Sequence, residues 1–272
     1  MKLATAVFVA AGLVWALAPA PARALPPPRG IVEVMEESDL IVVAKVTAID
    51  VKPVAGRKWD VATLKVEKVL MDRAEKPREP KMVALYVMPH RDPPPGGMDR
   101  MIMGGPPSVK VGQNGVWLLN VPVNFVGYRH GPWRFYDVKA QGDVEAVIRA
   151  ERDPMKALKS ESVTESAAGA YFWWSIRGRQ DAEGKREKRE ATAETTRLVI
   201  EAVAAGIQPG WEDAGYGRYL MLRNLIVELG LPSNEIFPPD SKPVDRAQRL
   251  RKWYAGHPGF RLTEYVEKKP AE

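Results

Sequence analysis

The spacing of apolar residues changes once along this chain, and that change constrains the fold more than any other feature. Residues 39–51, DLIVVAKVTAIDV, are rich in β-branched side chains and read as a long strand. Residues 59–70, WDVATLKVEKVL, alternate: Val61, Thr63, Lys65 and Glu67 fall on one side, Ala62, Leu64, Val66 and Lys68 on the other. Residues 81–88 and 115–123 read as a third and a fourth strand, and 125–128 and 133–138 as a fifth and a sixth turned by Gly131-Pro132. Five or six antiparallel strands in about a hundred residues imply a small barrel or sandwich.

From Gly142 onward the apolar period becomes helical. Residues 143–151 have helical spacing, and Asp153-Pro154 is a helix start with Asp as cap and Pro in the first position. Residues 162–176 form a further helical stretch containing Tyr171-Phe172-Trp173-Trp174. Four adjacent aromatics cover every side of a helix, so this one is expected to be almost wholly buried. Residues 177–190, RGRQDAEGKREKRE, are nearly all polar and read as a solvated loop. Thr192 caps the next helix, and Gly206 stops it. Further helices are expected at 216–229 and 245–254, separated by a proline-rich loop at 232–243. Strands first and helices second mark an α+β chain rather than a parallel α/β one.

The amino terminus predicts the compartment. Lys2 precedes an apolar run of 16 residues, and Ala22-Arg23-Ala24 follows the run. A charged start, an apolar middle and a small-x-small exit are the parts of a secretory signal, with cleavage expected near Ala24-Leu25. A spanning helix needs roughly 20 apolar residues, so the segment is short for an anchor. No later segment is long and apolar enough to cross a bilayer, so no transmembrane span is expected after cleavage. Cysteine is absent. Disulfides, thiol nucleophiles and thiolate metal sites are therefore excluded. The formal charge is +6, with Lys2 and Arg23 contributing two of those charges, and both signs are mixed along the chain. That is not the footprint of a nucleic-acid binder.

Three segments carry a resemblance. Ser38, Asp39 and Leu40 leading to Val46, then Val66-Glu67-Lys68-Val69-Leu70, then residues 112–119, resemble small OB-like barrels. The family is that of tissue inhibitors of metalloproteinases and netrin modules, in its bacterial exported form, and the likeness covers roughly residues 31–139. The resemblance implies an N-terminal five- to six-stranded antiparallel OB-like β-barrel followed by a helical C-terminal region. The organisation expected is a signal peptide at 1–24, the barrel domain at 25–141 and a helical domain at 142–272. The inhibitors of that family chelate zinc through an N-terminal cysteine. This chain has none, so inhibition by that route is not available to it. The helical segments are similar to the C-terminal halves of exported bacterial proteins that carry the same barrel and have no assigned activity.

Catalytic motifs are missing. His90, His130 and His257 lie far apart in sequence, and there is no G-x-S-x-G, no phosphate-cradling loop and no Cys/His array. Two segments remain as candidates. Residues 88–107, MPHRDPPPGGMDRMIMGGPP, place Met98, Met101 and Met103 near His90. Thioether and imidazole ligands suit Cu(I), whereas the plainer reading is a long connection whose methionines fill gaps on the barrel. No cofactor is expected from the rest of the chain, and copper is the one metal this loop would favour. The second segment is Tyr128, Arg129 and His130 followed by Trp133 and Arg134, where aromatic and basic residues interleave. On OB-like barrels such faces bind oligosaccharides or oligonucleotides by stacking and charge. Export favours a cell-envelope glycan. The structural alternative turns Trp133 and Phe135 into the barrel core and leaves Arg134 outside. The reading preferred is an exported, non-enzymatic binding or interaction protein whose partner is another protein or a cell-envelope glycan. The alternatives are a hydrolase or other enzyme without a recognisable motif, and a copper-handling protein.

Overall fold

The computed structural model describes residues 31–54, 56–74, 80–89, 109–121, 127–130, 134–178, 185–206, 226–227, 229–236, 238 and 243–268. The signal-like segment 1–24 and, of the helix expected at 216–229, residues 216–225 and 228 lie outside them. A short helix α1 (Ile31–Glu36) leads into β1 (Leu40–Val54), β2 (Arg57–Asp72), β3 (Met82–Pro89), β4 (Asn114–Leu119), β5 (Tyr128–Arg129) and β6 (Phe135–Asp137). Gly56, at φ 76°, lies in the tight β1–β2 turn, where a left-handed residue is needed.

These six strands form one sheet in the order β5-β3-β2-β1-β4-β6. The expected antiparallel barrel is not what forms. The β3–β5 pair is parallel, the other pairs are antiparallel, and the sheet is not closed. Closure needs a continuous ladder between the two edge strands. Here β5 has two residues and β6 three, and a single bridge from Arg129 to Asn120 is all that joins β5 to the end of β4. Alternation along a segment reports one buried face. It does not report pairing direction or whether the edges meet.

The helices follow: α2 (Gln141–Arg152), α3 (Pro154–Ala157), α4 (Val163–Trp173), α5 (Ala193–Gly206), α6 (Ser233–Ile236) and α7 (Pro243–Ala255). Asp153 caps α3 as expected, accepting from the Lys156 N–H at 3.0 Å with Pro154 in the first turn. Thr192 accepts from the Thr195 N–H at 3.1 Å at the start of α5. A 3-10 turn (Val138–Ala140) runs straight into α2, so Gly142 lies inside the helix, and Asp143 accepts from the Thr164 hydroxyl at 2.7 Å.

The polar run at 177–190 is not wholly a loop. Its end forms β7 (Arg186–Glu190), paired with β8 (Thr263–Glu267), a strand that local periodicity did not reveal. Glu264 explains the pairing. It is buried, receives Arg189 Nε at 2.8 Å and lies 3.7 Å from Arg177. A charged strand with no apolar side gives no period-2 signal, and its partner lies far along the chain.

The core has two layers divided by the sheet. On the helix face, Ile41, Val43, Val116 and Leu118 join α1, α2, α4 and α5 in one cluster that contains Phe172, Trp173 and Trp174. On the far face, Leu40, Val42, Ala44 and Val46 meet Leu64, Leu85, Trp117 and Leu119. Successive residues of β1 and β4 thus go to opposite cores, so these central strands are apolar on both sides. Trp117 donates its indole N–H to the Ala44 carbonyl at 2.9 Å, which satisfies its one buried polar atom. Irregularities at Ile41/Val42, Val43/Ala44 and Val46/Ala48 increase the local twist of β1 and β2.

Candidate binding surface

Beyond the described helices, β1, β2 and β3 continue as a sheet whose helix face is exposed at Lys45, Lys52, Lys65, Met82 and Ala84 but buried at Val61 and Trp59. The register assigns the side chains of this region to faces. Lys45, Thr63, Lys65, Met82 and Ala84 share the helix face with Ile41 and Val43, because Ala44, Leu64 and Val83 belong to the far core. Further out, Lys52 is directly opposite Trp59. The Trp59 and Tyr86 rings meet edge to face, with centroids 6.4 Å apart at 86°. The Arg129 guanidinium lies 5.4 Å from the Trp59 ring centroid, within cation–π range. Trp59 is 7% exposed, while Lys52, Arg57 and Arg129 are exposed.

Strand β5 brings Arg129 to this cluster through backbone pairing. Tyr128 pairs with Leu85 and Arg129 with Tyr86, and the His130 N–H donates to the Tyr86 carbonyl at 2.8 Å. The approach is close: a Cβ on Gly127 would sit 2.7 Å from Tyr86 Cε2, so a side chain there would push β5 away.

The aromatic-basic segment expected to act as one surface is divided by this geometry. Tyr128 packs on the far core, and His130 is 5% exposed with its ring 6.0 Å from Trp117. Arg129 alone reaches the open helix face. Arg134 is 9% exposed, not outside as the alternation reading had it. Its Nη2 donates to Glu37 at 2.9 Å, and its Nη1 reaches the Ser38 hydroxyl at 3.4 Å and the Leu118 carbonyl at 3.5 Å. Phe135 does turn inward, 4.6 Å from the Trp117 ring. The alternation is real, but both faces of β4 are covered here, so neither side is an outside. Trp133 lies outside the described residues, as do His90, Met98, Met101 and Met103. Among the described residues no three His, Cys, Asp or Glu side chains gather as a metal would require. No described helix is long and apolar enough to cross a membrane.

Trp59, Tyr86 and Lys52 were missed by the sequence reading because each lies in a strand read only for its alternation. The signal available was an aromatic on the polar side of β2, at Trp59, but its neighbours come from β3 and β5. No protein-family model matches the chain, and no curated protein is similar to it in sequence.

Proposed function

We propose that the chain is an exported, non-catalytic binding module that takes a cell-envelope glycan on the sheet's helix face beyond the described helices. The observation that carries this reading is the Arg129 guanidinium over Trp59, with Tyr86 edge-on and Lys52 opposite. Exposed Arg129 and Lys52 offer charge for an acidic group, and the half-buried Tyr86 ring beside them offers apolar surface for a sugar. The sheet holds these groups on four paired strands, so little order has to be gained on binding. The signal-like residues 1–24 motivate the compartment.

Two measurements test the reading. Mass spectrometry of protein recovered from the producing cell is expected to find an N-terminus at or near Leu25, and an intact Met1 form would overturn export. Co-sedimentation with purified cell-wall glycan is expected to retain the protein, and Arg129→Ala is expected to release most of it while the thermal transition stays cooperative. Retention unchanged by Arg129→Ala would place the contact elsewhere. Arg129 is the better probe because it is exposed, whereas truncating buried Trp59 would disturb the sheet itself.

A further inference from the structure

We infer that the protein dimerises through the outer half of β1, which pairs antiparallel with the same segment of a second copy about a two-fold axis at Val51. On the β4 side, Val46 is the last residue of β1 to be bonded. It donates to the Gln113 carbonyl at 2.9 Å and accepts from the Gly112 N–H at 2.8 Å. Residues 47–54 have no backbone partner on that side among the described residues. The irregularity between Val46 and Ala48 shifts the register by one, and the ladder with β2 then runs out to Val54 opposite Arg57. The pair flanking a two-residue turn is a hydrogen-bonded one, so Val54, Lys52 and Asp50 bond to β2. Ile49, Val51 and Pro53 therefore direct their backbone groups to the unpaired side. Ile49 and Val51 are also exposed, at 37% and 49%. An exposed edge carrying apolar side chains is a template for another strand.

Charge selects the partner and the register. A two-fold axis at Asp50 would set Asp50 against its own copy, and an axis at Lys52 would do the same for the lysine, both unfavourable. An axis at Ile49 would run the ladder into Val46, which is already bonded. An axis at Pro53 would face two residues that have no N–H to donate. The axis at Val51 sets Asp50 opposite Lys52 of the second copy twice, at the closer, non-hydrogen-bonded positions. Val51 then exchanges both backbone bonds with its own copy, and each Ile49 N–H meets a Pro53 carbonyl. The missing Pro53 N–H falls at the ends of the ladder, where water reaches the carbonyl left over. Ile49 is opposite Ala62, a residue of the far core, so Ile49, Val51 and Pro53 line the far face while Asp50 and Lys52 belong to the helix face. One side of the joint is thus an apolar row and the other holds two ion pairs. Arg129 and Tyr86 lie across β2 from this edge, so the inference does not rest on the glycan reading.

Sedimentation velocity over a concentration series, on the protein as recovered from the producing cell, is expected to show a monomer–dimer equilibrium. Asp50→Lys and Lys52→Asp, each alone, turn both attractive pairs into repulsive ones and are expected to weaken the dimer at least about tenfold. The double change Asp50→Lys with Lys52→Asp keeps the net charge, reverses both pairs and is expected to restore association. Circular dichroism checks that each variant keeps its sheet. The Ile49 and Val51 amides are expected to be protected from exchange in concentrated solution and to lose that protection on dilution. A protein that stays monomeric at every concentration, or a dimer indifferent to both single changes, would overturn the inference, as would a double variant no tighter than the single ones. Protection of the Ile49 and Val51 amides in the monomer would overturn it too, because another segment of the same chain would then cover the edge.

Discussion

Lys65 and Lys68 are three residues apart on β2, and among the described residues only Lys68 has a partner. Lys68 donates to Glu145 on α2 at 2.7 Å, and Arg73, just past the end of the same strand, pairs with Glu151, further along α2. Lys65 faces Lys45. The difference is the helix layer. Where α2 lies beside the sheet, it brings carboxylates to the strand cations and apolar residues to Ile41 and Val43. Where the layer ends, Lys45, Lys52 and Lys65 on the same strands are exposed and have no carboxylate partner among the described residues. One end of the sheet is a joint, and the other is a surface.

The comparison breaks first, and hardest, at the joint. Trp173→Ala removes a fully buried side chain from the cluster shared by sheet and helices, and is expected to cost about 3–5 kcal/mol in urea unfolding. A cost below about 1 kcal/mol would mean that the helices do not rely on that core. Glu264→Gln takes the charge from between Arg177 and Arg189 and is expected to cost about 1–3 kcal/mol, with β8 losing amide protection before the main sheet does. Simultaneous loss of protection in both sheets would show that β7 and β8 are not a separate clasp.

The pair Lys68–Glu145 gives a smaller, pH-dependent effect. The hydrogen bonds from Lys68 and Gln141 hold the Glu145 carboxyl below its usual range. A carboxylate lowered in the folded state contributes fully above its unfolded pKa, about 4.3, and loses that contribution as the pH falls through the folded value. Both partners are partly exposed, so only a few tenths of a kcal/mol are expected. Glu145→Gln should therefore destabilise slightly at pH 7 and make no difference near pH 2.5, and an equal cost at both would sink this account. The smallest effect belongs to the open end. Lys65→Thr relieves the facing charges and is expected to be neutral or to stabilise by up to about 0.5 kcal/mol. A clear loss of stability would show that Lys65 has structural work within the chain.

Much of the architecture is legible locally. Strands β1, β2 and β3 emerge from β-branched residues and alternation, and α2, α3, α5 and α7 from helical spacing and from the Asp153 and Thr192 caps. The mistakes share one cause. Closure of the sheet, the direction of β5, and the pairing of charged β7 with β8 are relations between distant segments, and no local period encodes them. The candidate surface is divided for the same reason. Tyr128, Arg129 and His130 look like one patch in sequence, but period 2 sends them to alternate faces, and their true neighbours are Leu85, Trp59 and Trp117.

The sequence by itself determined that no disulfide can staple this chain, that the main sheet precedes most of the helices, and that the aromatic run is largely buried, as Phe172, Trp173 and Trp174 are. These follow from composition and from the period of apolar residues, which act over a few positions. Only the tertiary structure decided which lysines are neutralised. Lys65 and Lys68 belong to the same strand and have the same chemistry. What separates them is a carboxylate on a helix seventy-seven residues beyond Lys68, and Coulomb attraction at 2.7 Å depends on position in space, not on position in the chain.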